Sequence, residues 1–552
     1  MTDVDAAPFE DLDGIGGLPE RTTARSLARA GITVASVYLV ARLLGYVRVV
    51  VIGTAFGAGD ELDAFFAAFR IPDLIFQLVA AGAIASALVP MVAGLLAKGE
   101  TARAWRVVST LANLMLVGLL AFAIVGFIAA PALVAVIAPG FAGAKLERTI
   151  ELTRLMLLSP MFLALGAVAT AALNGGQRFG ASAIAPVIYN LAIIGSVVLL
   201  APTMGVTGVA LGVVAGSLGH LLVQVPPLAR LGYRYVPRID LDDAQARMAL
   251  ALMGPRVIGL GVTQITFVVM TAIASGLGAG AVSAYSIAFS LLQIPLGVIG
   301  TPLGIVTFPS MARELALGRT SHYLEILSRS LRILAFVMLP LTALGMVLRV
   351  HVVELLLGYG KFDQAAVQLT ADTLLLFLIG LTAHSAIAVL APAFYARRNT
   401  RTPTIAAILA VVINCALAVT LVGPLGLPAI GLAIAVAAWS EAIALVFWLR
   451  RSEPAFDIAG VASVLARCLV AAAVAAAVAF VVLQATAGPS PLGNPPLGGH
   501  PGQPKVEVLI QAIVATAAGG AAYVAVAALL RVRELNTLVA IVVDLVRRRG
   551  RA

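Results

Sequence analysis

Ile32-Thr-Val-Ala-Ser-Val-Tyr-Leu-Val-Ala-Arg-Leu-Leu-Gly-Tyr-Val-Arg-Val-Val-Val-Ile-Gly-Thr-Ala55 decides how this chain is read. It is an apolar run of membrane-crossing length, and it carries two arginines, Arg42 and Arg48. About 20 apolar residues in a helix cross the hydrocarbon layer of a bilayer. Runs of the same kind recur to the end of the chain. About fourteen are expected, near 32–55, 64–96, 107–130, 152–174, 182–201, 205–228, 248–277, 281–311, 331–348, 366–395, 403–422, 426–449, 461–486 and 506–530.

Composition agrees. The 552 residues are 61% hydrophobic and 12% charged, whereas soluble domains sit near 45–50% apolar and about 25% charged. A globular core cannot absorb that much apolar surface, and a bilayer can. The runs are rich in Ala, Leu and Val and do not alternate, which excludes a barrel. The expected class is an all-α polytopic membrane protein. Spans two and eight carry Pro72, Gly82 and Pro90, and Pro295, Pro302 and Pro309. They are expected to bend or break, as helices lining a cavity do. Cys415 and Cys468 fall inside apolar runs and read as buried fillers, not as a disulfide or a metal site.

The net charge of +10 does not point to nucleic acid, because no soluble basic domain exists to hold a duplex. It orients the chain instead. Of 37 Lys and Arg, 27 fall with the two termini and the even-side connections, among them Lys98, Arg103, Arg106, Arg313, Arg397 and Arg450. Only 5 (Lys145, Arg148, Arg349, Lys361 and Lys505) fall on the opposite side. The positive-inside rule then places both termini in the cytoplasm. Residues 1–28, which begin acidic, are expected to form a flexible cytoplasmic tail rather than a signal peptide. The Gly/Pro-rich stretch 487–504 is expected to be an external loop, and 531–552 a basic cytoplasmic tail.

The chain resembles itself at an offset of about 220 residues. Asp63-Ala-Phe-Phe-Ala-Ala-Phe69 aligns with Ser283-Ala-Tyr-Ser-Ile-Ala-Phe289, Val89-Pro90 with Phe308-Pro309, and Gly208-Val-Ala-Leu-Gly-Val213 with Ala429-Ile-Gly-Leu-Ala-Ile434. Six spans separate the copies, so the repeat is parallel. The expected layout is two six-helix lobes, 29–230 and 246–450, followed by two C-terminal helices within 461–530. In transporters built this way the substrate site lies between the repeats.

A charge within a bilayer costs about 2.5–3.5 kcal/mol at mid-span on insertion scales, so each one needs a reason. Six residues at 100° each set Arg42 and Arg48 about 120° apart and roughly 9 Å along the axis. They cannot share a narrow stripe, but both can border a wide cavity. An arginine fork grips phosphate oxygens in two places; the plainer reading is a snorkelling side chain or a structural ion pair. Asp63, after the Gly57-Ala-Gly59 turn, either caps its helix or holds Arg48 across the hairpin. Asp73 lies about one-third into span two and calls for a cavity or a basic partner. Gln264, Ser290 and Gln293 lie on spans seven and eight. Asn190 and Asn414 are mid-span amides, for which interhelical hydrogen bonding is the default. His220 and Glu441 match at the repeat offset. His384 and Asp372 in span ten are isolated candidates for cation or proton coupling. No phosphate loop, nucleophile elbow or His/Glu metal pair is present in the sequence, so neither an enzyme nor a cofactor is expected.

Several short motifs in order give the chain a resemblance. They are Arg42-Leu-Leu-Gly-Tyr-Val-Arg48, Phe56-Gly-Ala-Gly59, Asp63-Ala-Phe-Phe-Ala-Ala-Phe-Arg-Ile-Pro72, Ala138-Pro-Gly-Phe141, Leu173-Asn174 through Arg178-Phe179, Ala185-Pro186 to Asn190, Met253-Gly-Pro255, Tyr359-Gly-Lys-Phe362 and Ala391-Pro-Ala-Phe-Tyr395 to Thr402-Pro403. In order and spacing, over about residues 30–530, the chain resembles the MurJ/MviN family of lipid II flippases, within the superfamily of polysaccharide exporters and multidrug antiporters. The resemblance implies a monomer of the bacterial cytoplasmic membrane. It would move undecaprenyl-pyrophosphate-linked disaccharide-pentapeptide to the outer leaflet by alternating access, among membrane lipids and beside wall-synthesis proteins. The family's first-span arginine pair carries over to Arg42 and Arg48, and its acidic residue after the turn to Asp63. Other family charges do not. The acidic residue after the second arginine is Val49 here, the span-two arginine falls on Phe76, and its neighbouring glutamate falls on Ala81. In span eight an Asp-Arg pair and a following Glu fall on Phe289, Ser290 and Gln293. Arg42 and Arg48 are therefore expected to carry nearly all of the cavity's charge. The alternatives are a flippase or exporter of another polyprenyl-linked saccharide or amphipathic molecule, and a non-transporting cell-wall scaffold.

Overall fold

The protein is described here from a computed structural model covering residues 20–79, 84–486 and 504–536. Among these, all regular structure is helical. The first half holds α1 (Glu20–Phe56), α2 (Asp60–Val79), α3 (Ala85–Ala97), α4 (Thr101–Ile137), α5 (Gly143–Met156), α6 (Ser159–Gly175), α7 (Phe179–Leu199), α8 (Ala201–Met204), α9 (Val206–Leu222) and α10 (Val225–Arg230). The second half holds α11 (Ala244–Ser275), α12 (Ala281–Pro295), a π-helical turn (Leu296–Gly300), α13 (Thr301–Ala316), α14 (Thr320–Leu357), α15 (Gln364–Ile379), α16 (Leu381–Ala396), α17 (Arg401–Leu425) and α18 (Pro428–Ser452). Two more helices, α19 (Ile458–Thr486) and α20 (Lys505–Leu529), pack on each other and on α14.

The breaks fall where the sequence forces them. Pro295 is followed by the π turn, as expected where a proline disturbs the ladder. Gly380 separates α15 from α16, which meet at 44°. Eleven helices among the described residues are long and apolar enough to cross a membrane, or twelve if α15 and α16 form one span. The two expected spans not among them are 64–96, which contains residues 80–83 outside the described residues, and 248–277, for which the apolar helix found among the described residues is Gln264–Ser275. Residues 20–28 of the expected tail are helical, forming the first turns of α1. Residues 1–19, Ala81, loop residues 487–503 and tail residues 537–552 lie outside the described residues.

Packing repeats along the chain. α1 packs on α7, α2 on α5, α3 on α6 and α7 on α9. Further on, α11 packs on α17, α12 on α15, α13 on α16 and α17 on α18. Between these sets, α2 touches both α11 and α12, and α1 touches α12. The connection from α10 to α11 is strapped to α4. Asn113 Nδ2 donates to the carbonyls of Val236 and Arg238 (2.8 and 3.1 Å), and the Val236 N–H donates to Ser109 Oγ at 3.1 Å. Asp243 then caps α11 through the Gln245 N–H and pairs with Arg103 of α4 at 2.8 Å. That guanidinium holds the Asp243 carboxyl below the usual carboxylate range, and Arg103 is raised in turn.

Candidate functional site

Where α1, α2, α7, α11 and α12 meet, they enclose a cavity of about 700 Å³. Seven of the eight site residues read from the sequence line it: Arg42, Arg48, Asp73, Asn190, Gln264, Ser290 and Gln293. Their spacing along α1 is what allows both arginines to reach one wide chamber, although they do not share a stripe. Asn190 also serves structure, donating from Nδ2 to the Ala41 carbonyl at 3.2 Å and so tying α7 to α1.

A third guanidinium joins them, so Arg42 and Arg48 are not nearly all of the charge. Arg70, on α2 two residues before Pro72, also lines the cavity. Its Nε donates to Thr271 Oγ1 at 3.1 Å, and its guanidinium carbon stands 5.6 Å from the Phe267 ring centre and 5.8 Å from that of Tyr285. Cationic groups over aromatic faces are held electrostatically without being neutralised. Arg48 is placed the same way, 5.6 Å from the Tyr189 ring centre. None of the three arginines forms an ion pair among the described residues. Among the described residues of the lining, Asp73 is the single carboxylate, beside three guanidiniums. The feature that would have revealed Arg70 is the repeat, which places this stretch of α2 opposite α12.

Arg42 reaches across to the second half. A Cβ built on Gly297 of the π turn would overlap the Arg42 guanidinium, so only glycine leaves room for it there. One turn along α1 from Arg42, Tyr46 donates from its hydroxyl to the Gln293 carbonyl at 2.9 Å.

Asp63 is not part of the lining. It is fully buried at the α1–α2 turn, and it neither holds Arg48 nor caps its own helix. It caps α12 instead. Oδ2 accepts from the Gly280 N–H at 2.8 Å, and Oδ1 accepts from the Ser283 N–H at 2.8 Å and the Ser283 hydroxyl at 2.6 Å. Gly280 adopts φ +82°, a conformation that favours glycine. Lys145 of α5 pairs with the same carboxylate at 2.8 Å. Beside it, the Lys361 N–H donates to the Thr54 carbonyl at 2.9 Å, joining the α14–α15 turn to α1. These bonds tie α1, α2, α5, α12 and the α14–α15 turn together at the α1–α2 end. At the far end no hydrogen bond or ion pair joins α3 to α13 among the described residues.

The remaining titratable candidates lie elsewhere. Asp372 is not isolated: it sits 3.6 Å from Arg349 and accepts from Gln368. His384 is packed inside α16 with Nε2 unpartnered, and His220 packs against Gly166. Asn414 is buried with Oδ1 unpartnered. None of them, nor Glu441, lines the chamber.

Membrane-length helices around a chamber lined by three guanidiniums define a multi-pass membrane protein with a basic internal cavity. The family model described as "Lipid II flippase MurJ" matches residues 52–492. The chain is 31% identical over 436 residues to "Lipid II flippase MurJ" of Burkholderia cenocepacia, covering 77% of this chain and 84% of that one. It is 34% identical to "Probable lipid II flippase MurJ" of Rhizobium tropici, covering 77% and 81%. Among solved structures it is similar to "Lipid II flippase MurJ, inward closed conformation", with a TM-score of 0.74 at 20% identity over 90% of this chain and 98% of that one. It shares its fold with an inward-facing MATE transporter of the MOP superfamily, with a TM-score of 0.61 at 18% identity over 75% and 95%. The chain belongs to the lipid II flippase MurJ family.

Proposed function

We propose that this protein moves lipid II, the undecaprenyl-pyrophosphate-linked peptidoglycan precursor, from the inner to the outer leaflet of the bacterial cytoplasmic membrane. The observation that carries this reading is the chamber with three guanidiniums and one carboxylate. A pyrophosphate diester bears two negative charges, and the lining offers three cations against one anion. Arginine forks suit that ligand better than ammonium groups do, since each can hold two phosphate oxygens. The protein is read as a transporter rather than an enzyme, working as a monomer near wall-synthesis proteins.

The same reading assigns fourteen spans with both termini cytoplasmic, two six-helix lobes at 29–230 and 246–450, and two further helices. Its support is the recurrence of the same helix pairings in each half together with the asymmetry of basic residues. The α1–α2 turn then faces outward, and the Asp63 bonds form the outer gate of a chamber closed to the exterior. Alternating access requires those bonds to break when the chamber turns outward.

The uncharged positions Phe289, Ser290 and Gln293 all lie on the chamber wall, and this observation favours a second reading. In it, the cargo is a different polyprenyl-linked saccharide. Complementation in cells depleted of their own lipid II flippase tests the first reading. Growth and normal outer-leaflet lipid II are expected. Expression without rescue, together with another lipid-linked saccharide bound to the purified protein, would favour the second.

A further inference from the structure

Arg154 is a charged side chain that the chamber does not use. It stands near the end of α5, where α5 breaks from α6 ahead of Pro160, and lines a separate crevice of about 230 Å³ between α4 and the α5–α6 break. The sequence of α4 explains how it is held. Pro131 has no N–H, so the Phe127 carbonyl four residues earlier lacks its helical donor. Arg154 Nε fills that gap at 3.1 Å, and its guanidinium carbon lies 5.0 Å from the Phe127 ring centre. One edge of the fork is thereby fixed. The other N–H groups have no partner among the described residues, and the nearby Glu151 is paired with Arg148 at 3.2 Å.

The rest of the crevice lining is apolar: Ala123 and Leu157 form its buried floor, and the others are turned outward. Ile124, Phe127, Ile128 and Leu158 are 55%, 53%, 73% and 41% exposed. On helices of this length and hydropathy, that surface faces lipid chains. Phe127 lies roughly 30 Å along α4 from Arg106 at 1.5 Å per residue, about one hydrocarbon thickness. With 107–130 read as the span, the guanidinium lies toward the leaflet remote from Arg106.

We propose that Arg154 and this crevice form a binding site for an anionic phospholipid, with the phosphate on the free edge of the Arg154 fork and an acyl chain along Ile124, Ile128 and Leu158. The occupant is an anionic phospholipid because the crevice joins one unpaired cation to a purely apolar, lipid-facing wall. A free anion would use only the first, and a neutral lipid only the second.

The test is native mass spectrometry of the full chain in detergent, titrated with dioleoyl-phosphatidylglycerol or dioleoyl-phosphatidylcholine. The wild type is expected to retain phosphatidylglycerol preferentially, and millimolar inorganic phosphate is expected not to displace it. Arg154→Gln is expected to bind phosphatidylglycerol roughly tenfold more weakly, as loss of one charge-assisted contact implies, with phosphatidylcholine unchanged. Arg154→Gln also strips the Phe127 carbonyl of its donor. Leu158→Trp therefore serves as a second variant, since it fills the crevice from an already exposed position and keeps the charge. It is expected to lower phosphatidylglycerol retention at unchanged thermal stability. Wild-type retention in both variants, equal binding of the two lipids, or displacement by inorganic phosphate would each overturn the proposal.

Discussion

Asp63 and Ser283 stand at matching positions of the sequence repeat and are hydrogen-bonded to each other, the Ser283 hydroxyl donating to Asp63 Oδ1 at 2.6 Å. Matching residues of two related copies meet only near the axis that relates them, so in the proposed two-lobed reading this bond marks that axis at the α1–α2 end of the chamber. It also explains why the copies differ there. Two carboxylates this close would repel, whereas a hydroxyl and the two N–H groups at the start of α12 satisfy one. Removing one partner of a buried charged pair costs about 3–5 kcal/mol, and Asp63 also holds Lys145. Asp63→Ala is therefore expected to unlock this end. A cysteine at Gln293, in a background lacking Cys415 and Cys468, should react several-fold faster with a membrane-impermeant thiol reagent applied from outside. Ser283→Ala, which leaves both N–H bonds in place, should give a smaller increase. Unchanged labelling in Asp63→Ala would remove the gate from the account.

Arg70 is expected to matter as much as the α1 arginines. Arg42→Ala, Arg48→Ala and Arg70→Ala should each weaken binding of a pyrophosphate-bearing lipid by roughly tenfold or more, the scale of one lost charge-assisted contact. Arg70→Lys should recover only part, because an ammonium cannot bond Thr271 and a phosphate as a planar fork does. Isothermal titration with solubilised lipid II measures this. Wild-type affinity in Arg70→Ala would place that arginine in a structural role only.

Gly297 makes room for Arg42. Gly297→Ala is expected to swing the guanidinium away from the π turn, lowering transport while changing the melting temperature little, because the side chain that must yield is flexible. Gly297→Ala combined with Arg42→Ala should be no worse than Arg42→Ala alone. A larger combined loss would mean that Gly297 acts through the helix and not through Arg42.

These residues show what the sequence could and could not disclose. Helix positions were legible because apolar length alone sets a span, and Arg42, Arg48, Asp73 and Gln293 stood out as polar groups without water. The alignment of 63–69 with 283–289 pairs Asp63 with Ser283, but their contact exists only in three dimensions. Asp63 was misassigned because its partners Lys145, Gly280 and Ser283 are 82, 217 and 220 residues away. Arg70 is not singled out by the sequence, because nothing local distinguishes an arginine stacked on Phe267 from one reaching for lipid headgroups. Asp372 seemed isolated for the same reason, its partner Arg349 being on another helix.

The Arg103–Asp243 pair fixes the strap between the halves, and its pH dependence has a definite sign. The Asp243 carboxyl is lowered in the folded state by Arg103 first. Its contribution is therefore complete above the unfolded carboxylate value of about 3.9 and is lost as pH falls through the lower folded value. Arg103 stays protonated throughout. Melting temperature in detergent should show no change from this pair between pH 7 and pH 5. The wild type's advantage over Asp243→Asn should then shrink below about pH 4. An advantage that disappears already near pH 6 would point to other groups.

Whether the chamber arginines carry lipid II across the membrane is decided by measuring outer-leaflet lipid II in cells depleted of their own flippase and supplied with this protein. Normal surface exposure is expected with the wild type, and loss of that exposure with Arg42→Ala plus Arg48→Ala at equal membrane abundance. Full exposure with the double variant, or none with the wild type, would rule out that role for the arginines.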